Sequence, residues 1–457
     1  MQNRRTTSSN FRSRFGYIMV AAGAAIGLGN IWKFPYMAYK GGGIFIILYI
    51  LFAILLGHPL IEMESAIGRY ARTNAIDAYG VIHHKYRFIG FINVLCTLLI
   101  NMYYIIVSGY VLKYALDYLN GTDFGFDKAA YYISFISDPV SPMIYAGTFM
   151  LTIILFLSFG ITTLVEKITK IIMPLLFLLL AICGIWALFS SDTAIEGLKY
   201  YLIPDFSKLN SKIIADAAMQ VMFSISVGWA VFPTLGASLS DDANIRKDSF
   251  WITFCDTFVA LLAGFVIIPS VVGSGSAMTA GPSLIFLAMP AIFDTLPGGR
   301  IIGCFFFLAL IFAVVSTYFT ILEVPVRCLK EKCHISHGKA TFITTSVIMT
   351  GALFCSLSQG NGLLSHIKLP WWVSGEGIIY YNIYNWIDCF SSYVLLPLGC
   401  LLTSYYCCFV WGHKKYANEL TKNGRDGFLS LSDRLIMTIV IPILTIIVIL
   451  NCFGFIK

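Results

Sequence analysis

The sequence predicts an all-α membrane protein of eleven helical spans, the first and sixth of them broken at their middle. Three observations predict it. The 457-residue chain is 58% hydrophobic and only 12% charged, where a soluble domain carries roughly 25% charged residues. Apolar runs long enough to cross a bilayer, which takes about 20 residues, recur along the whole length. Two of these runs carry glycine, serine or asparagine at their centre. The composition leaves almost no room for a separate soluble domain, and no nucleic-acid partner is expected; the bilayer itself is.

The spans are expected near 16–37, 42–70, 88–118, 143–160, 165–189, 213–236, 249–273, 300–330, 340–357, 380–410 and 432–453. The first has no charge between Arg14 and Lys33, yet its middle reads Gly23-Ala24-Ala25-Ile26-Gly27-Leu28-Gly29-Asn30. Glycine weakens a helix and permits unusual backbone angles. Open backbone at membrane depth is tolerated only where protein, water or an ion satisfies it. The sixth span has no charge between Asp216 and Asp241, but its middle reads Phe223-Ser224-Ile225-Ser226-Val227-Gly228-Trp229. Spans 1 and 6 open two five-helix blocks, 1–5 and 6–10. Matching interruptions in two halves point to an inverted repeat around a midplane binding site. For either span alone, small residues could simply let helices pack closely; the pair favours a site.

Two long loops are expected, an acidic one near 119–142 (Asp123, Asp127, Asp138) and a mixed one near 190–212. Between spans 7 and 8, Leu284–Met289 and Ala291–Leu296 are too short to cross and read as a re-entrant helical hairpin.

Basic residues set the orientation. Arg4, Arg5, Arg12 and Arg14 lie in an N-terminal tail, 1–15, that lacks a secretory cleavage site. Arg69, Arg72, Lys85 and Arg87, then Lys167 and Lys170, then Arg327, Lys330, Lys332 and Lys339, then Lys414, Lys415, Lys422 and Arg425 all fall on the same side. That side is expected to be cytoplasmic, and an odd span count then places the C-terminus outside. The core would be 16–412, with a loop and the last span in 413–457. Cys96, Cys183, Cys255, Cys304 and Cys400 read as small core residues. Cys328, Cys333, His334 and His337 read as a basic loop with incidental thiols rather than a zinc site.

A broken helix offers amide N–H groups at one half-helix start, which attract a carboxylate, and carbonyls at the other end, which attract a cation. Span 1 adds Asn30, and span 6 adds Ser224 and Ser226. Asp256 lies mid-span in span 7, where an unpaired carboxylate is costly, so it is a functional candidate. Ser316 and Thr317 in span 8 are candidates too, although such hydroxyls also bond back to their own helix.

With these residues in place, the chain resembles the neurotransmitter:sodium symporter family and its LeuT fold, a 5+5 inverted repeat. The likeness rests on Gly27-Leu28-Gly29-Asn30-Ile31-Trp32-Lys33-Phe34-Pro35-Tyr36, Gly41-Gly42-Gly43, Glu64-Ser65-Ala66-Ile67-Gly68-Arg69-Tyr70 and Phe312-Ala313-Val314-Val315-Ser316-Thr317. It covers Phe11 to about Gly412. No third glycine follows Gly29, so a dinucleotide loop is not supported.

The resemblance implies a sodium-coupled importer of an amino acid in the plasma (bacterial inner) membrane, with two sodium sites. The first would use Ala25, Asn30, Ser224, Asp256 and the substrate carboxylate. The second would use the Gly23, Ile26 and Ala313 carbonyls with Ser316 and Thr317, a pair the family usually orders Thr-Ser. The substrate carboxylate would meet Leu28, Gly29 and Tyr104, and its ammonium Ala25, Phe223 and Ser224. Ala24, Ile100, Phe223, Ser226, Trp229, Thr317 and Ile321 would line a mainly apolar side-chain pocket, favouring a hydrophobic or aromatic amino acid. Gly27 stands where monoamine-type relatives carry Asp. Ala260 stands where chloride-dependent relatives carry Ser, which with Asp256 implies that chloride is not needed.

Lys33 and Asp388 would gate one side, and a Lys–Asp pair lacks the bidentate fork of arginine. Glu331 would be the acid of the other gate, but its usual arginine partner is Ser8 here. Either Arg4 or Arg5 substitutes, or that gate is weaker. Many bacterial relatives have Gly ten residues before Pro174, where this chain has Leu164, which questions unwinding of span 5. Glu64 would accept amides of the broken helices, with proton carriage the alternative. A channel and an intramembrane enzyme are the other classes. The chain has no His-Glu-x-x-His or nucleophile-elbow motif, and no enzyme activity is expected.

Overall fold

A computed structural model describes residues 11–189, 193–274, 281–421 and 429–456. Helices occupy all eleven expected positions. Eight are long and apolar enough to cross a membrane, and the count reaches ten if each of two bent pairs is one span. One bent pair is span 1, Arg14–Ala25 and Gly29–Gly41, angled by 56°. The other joins Lys128–Ser137 to Ser141–Leu157, at 74°. Span 6 consists of Ser211–Ser224 and Val231–Gly236, pieces too short to cross singly, so by length and composition alone the described helices count as eight to ten spans.

Both breaks have local causes. In span 1 the α-helix stops at Ala25 because Ile26 turns extended, at φ −76° and ψ 97°. The glycines around it allow close approach. A Cβ on Gly23 would lie 2.8 Å from Ser316 Cβ, and one on Gly29 2.7 Å from the Phe223 ring. In span 6, Ser226, Gly228 and Ala230 are all left-handed, at φ 61°, 75° and 60°. Each such non-glycine residue costs roughly 1–2 kcal/mol, so tertiary contacts must hold the segment. One is visible: the Gly228 N–H donates to Glu64 Oε1 at 2.7 Å. The same stretch of span 2 packs backbone to backbone on span 6. A Cβ on Gly68 would meet Pro233 O at 2.2 Å, and one on Gly236 would meet Ser65 O at 2.5 Å.

Several loops differ from expectation. The acidic loop contains the helix Lys128–Ser137, capped by Asp127, whose carboxylate accepts from the Ala129 and Ala130 amides. The expected re-entrant hairpin is instead one helical run, Leu284–Thr295. Pro290 sits at the start of its α-helical part, after a wide turn over Leu284–Ala288. Proline is tolerated at that position because the first amides of a helix lack partners anyway. Leu369–Val373 and Gly377–Tyr381 form an antiparallel hairpin, with Leu369 opposite Tyr381, a departure from an all-α chain. Its adjacent pairs Trp371-Trp372 and Tyr380-Tyr381 place one aromatic ring on each face of a half-buried strand pair. Helix also continues beyond Gly412, over His413–Leu420, where a loop was expected.

Candidate ion and substrate site

The two breaks meet. Ala25, Gly27, Leu28, Gly29 and Asn30 from span 1 face Phe223, Ser224, Ser226 and Trp229 from span 6 across a narrow, nearly filled cavity of about 10 Å³. Tyr104 of span 3 and Thr317 of span 8 complete its wall. Ala24, Ile100 and Ile321 are fully buried but are not among the residues that line this cavity. Ala24 contributes through its carbonyl, which accepts from the Ser226 hydroxyl at 3.0 Å.

Asp256 anchors one end. It and Asn30 are both 0% exposed. Its carboxylate accepts from Asn30 Nδ2 at 2.7 Å, from the Ser224 hydroxyl at 2.9 and 3.0 Å, and from the Tyr49 hydroxyl at 3.0 Å. Asn30 Oδ1 accepts from the Gly27 amide at 3.0 Å, so this side chain also braces the break. No lysine or arginine among the described residues pairs with Asp256. A buried carboxylate held only by neutral donors retains an uncompensated charge. The donor set therefore fits a small hard cation, which favours oxygen ligands. Tyr49 escaped the sequence reading. Its one signal is a single hydroxyl in the otherwise apolar run of span 2.

A second set of oxygens gathers where span 8 crosses span 1. Thr317 Oγ1 lies 3.1 Å from Gly23 O, 2.9 Å from Ile26 O and 3.0 Å from Ala313 O. Ser316 Oγ lies 3.0 Å from Ala313 O. Both hydroxyls bond back to their own helix, the less specific alternative. Thr317 also reaches two carbonyls of another span, which that alternative does not require. Three carbonyls and two hydroxyls thus converge, again an all-oxygen set.

Backbone amides and a phenol belong to the remaining wall. The Leu28 amide donates to Tyr104 Oη at 3.3 Å, and a Cβ on Gly27 would lie 2.9 Å from that oxygen. Gln220, also unforeseen, donates to Gly29 O at 3.0 Å. Lys33 Nζ stands 3.6 Å from Asp388 Oδ1 and 3.8 Å from the Phe223 ring centroid. Lys33 thus rests on an aromatic side chain that lines the cavity.

The family model for sodium:neurotransmitter symporters matches residues 8–123 and 138–454. The chain belongs to that family. A sodium-dependent transporter of Bacillus subtilis is 32% identical to this symporter over 449 residues, covering 97% of each chain. A sodium-dependent serotonin transporter of Drosophila melanogaster is 25% identical, covering 77% of this chain and 64% of its own. The crystal structure of MhsT in complex with L-phenylalanine superposes with a TM-score of 0.87 at 30% identity, over 97% of this chain and all of that one. The symporter therefore has the LeuT fold with broken helices. Its relatives are transporters, not enzymes.

At the N-terminal side, the symporter's expected gate partners Arg4, Arg5 and Ser8 lie outside the described residues. Glu331 has other partners: Arg327 Nε at 2.9 Å, the Asn74 amide at 2.7 Å and the Thr73 hydroxyl at 3.0 Å. A separate set of contacts holds the start of span 1. The Arg12 amide and the Ser13 hydroxyl donate to Glu166 at 2.9 and 3.2 Å, and Arg14 Nε pairs with Asp248 Oδ1 at 2.6 Å. Gly16 makes room for this, since a Cβ there would lie 2.0 Å from Glu166 Oε1. Neither acid was singled out in the sequence. Span 5 begins with a wide turn, Gly160–Val165, and Gly160 is at φ 89°. The glycine missing at Leu164 is thus matched by one four residues earlier. Wide turns of this kind often mark functional sites.

Proposed function

We propose that this symporter couples sodium to the import of a hydrophobic or aromatic amino acid across the plasma (bacterial inner) membrane, without chloride. One observation carries the reading. Asp256, a fully buried carboxylate, meets two broken helices beside backbone able to hold both a cation and a carboxylate. One sodium ion is bound by Ala25, Asn30, Ser224 and Asp256 together with the substrate carboxylate. A second is bound by Gly23, Ile26, Ala313, Ser316 and Thr317. The substrate carboxylate meets the Leu28 and Gly29 amides and Tyr104. Its ammonium meets carbonyls of Ala25, Phe223 and Ser224. With glycine at position 27, the substrate must bring its own carboxylate, which makes it an amino acid. The buried apolar side chains around the cavity disfavour a charged side chain, and bound L-phenylalanine in MhsT supports the same class. Asp256 supplies the fixed negative charge that chloride would otherwise provide. The N-terminus is cytoplasmic, the C-terminus is outside, and the chain crosses eleven times. Lys33 and Asp388 then gate the outer side, and Glu331 belongs to the inner one.

Uptake of labelled amino acids into proteoliposomes tests this. An inward sodium gradient should drive uptake of apolar amino acids over glutamate or lysine, and uptake should persist when gluconate replaces chloride. Substitution of Asn30 by Ala should abolish it. No sodium dependence with any substrate would remove the proposal.

A further inference from the structure

The hairpin Leu369–Tyr381 has two unlike faces. Successive residues of a strand alternate between faces, and cross-strand partners share one. Trp372 stands opposite Ile378, and Pro370 opposite Tyr380. Trp372, Ile378 and Tyr380 are 48%, 58% and 63% exposed, whereas Trp371 on the other face is 7% exposed. Pro370 is exposed as well. Nothing on the exposed face is charged; the one charged residue of the hairpin, Glu376, lies in its turn. A contiguous apolar patch of this kind marks a surface that meets something other than water.

The other face fixes where the hairpin sits. Trp371 stacks on Phe453 with ring centroids 5.7 Å apart and meets Trp386 edge-on at 6.2 Å. The Ser374 amide donates to Phe453 O at 2.7 Å, and the Trp386 indole N–H donates to Pro370 O at 3.2 Å. The hairpin is thus held at the end of the last span, Leu431–Cys452. That span stops in a glycine turn. Gly454 is left-handed at φ 70°, the Phe455 amide donates to Leu450 O and the Gly454 amide to Asn451 O, both at 3.0 Å, a closure that commonly packs the residue after the glycine on the last turn. Phe455 also meets Trp372, with centroids 5.5 Å apart. Along the last span Leu435, Ile439, Ile443, Ile446 and Leu450 are exposed, at the three- and four-residue spacing of one helix face. On a spanning helix such a stripe faces lipid. Exposed apolar residues therefore follow one another from this stripe, through Leu450 and Phe455, to Trp372 and its partner Ile378.

We propose that the exposed face of this hairpin is a membrane-interface surface: Trp372, Ile378 and Tyr380, with Phe455, seat in the lipid headgroup layer of the leaflet in which the last span ends. Trp and Tyr suit that layer, since their rings are apolar while the indole N–H and phenol O–H bond to headgroups and water. Through Trp371 the same contact ties the start of the tenth span, at Trp386 two residues before Asp388, to the membrane surface. The proposal needs only that the last span crosses the membrane; it does not depend on the substrate or on sodium.

Spin labelling of the full chain in phosphatidylcholine–phosphatidylglycerol vesicles is the test, in a background where Cys333→Ser removes the one exposed thiol among the described residues. Nitroxides attached at Ile378→Cys and at Tyr380→Cys should be relaxed by lipid-soluble oxygen more than by a water-soluble nickel chelate, with an oxygen-to-nickel ratio several-fold above that at Glu376→Cys in the turn. Relaxation chiefly by nickel at 378 and 380, as at 376, would overturn the proposal, because the face would then lie in water. Low access to both relaxants at 378 and 380 would overturn it too, since protein, such as a second copy of the chain, would then cover the face. If the labelled variants do not fold, Trp372 decides the matter. The emission that Trp372→Phe removes should be quenched in the parent by phosphatidylcholine brominated high on its acyl chains. Quenching of that emission by aqueous iodide alone would overturn the proposal.

Discussion

Asp256 shows what a single residue can disclose. Its type and its mid-span place marked it in the sequence, because a lone carboxylate in an apolar run demands a partner. What the chain could not show was the company it keeps. Tyr49, Ser224 and Asn30 come from three other spans, and all donate to it. If the charge replaces chloride, Asp256→Asn keeps the shape and removes the charge. Sodium-driven uptake by that variant should fall at least about tenfold in gluconate, the equivalent of 1.4 kcal/mol, and recover in chloride when Ala260→Ser is added. Unchanged uptake by the single variant in gluconate would show that the negative charge is not needed. Gly23, Gly27 and Gly29 were legible for a related reason. Each faces a side chain of another span at distances that no Cβ tolerates without movement.

At the scale of elements, the breaks were legible as clusters of small residues, but their backbone geometry was not. Ser226 and Ala230 carry no sequence mark of a left-handed conformation, because neighbouring helices impose it. The helix Lys128–Ser137 and the strand pair at Leu369–Tyr381 did carry local marks, the Asp127 N-cap and the paired Trp and Tyr residues. Glu64 is the contact that most directly holds span 6 open, through the Gly228 amide. Replacing it by Gln keeps an acceptor; replacing it by Leu leaves that buried amide unpaired, at a cost of about 1–3 kcal/mol. Glu64→Leu should therefore lower the thermal midpoint by several degrees more than Glu64→Gln. A larger drop for Gln would instead favour a charged role for Glu64, beyond accepting one hydrogen bond.

For the molecule as a whole, two sets of contacts flank the break of span 1 along the chain, and they differ in legibility. The Lys33–Asp388 pair could be anticipated from motif position. The N-terminal set could not, because its contacts join residues far apart in sequence: Arg12 and Ser13 to Glu166, and Arg14 to Asp248. Arg14 is half exposed, at 52%, so its ion pair alone contributes only about 1 kcal/mol or less. Glu166 is different, since it is buried at 1% and lies under Gly16, satisfying an amide and a hydroxyl at the start of span 1. Opening this side must break those bonds, whatever else moves. Glu166→Gln combined with Asp248→Asn should therefore favour the conformation open on the N-terminal side. A cysteine placed at Ser240, which lines the space beneath Arg14, would report it, in a background lacking the exposed thiol of Cys333. In sodium without substrate, that cysteine should react with a maleimide several-fold faster in the double variant than in the parent. Equal rates would mean that the start of span 1 is held by Glu331 and the residues before Phe11, and that the Glu166 contacts merely cap a helix.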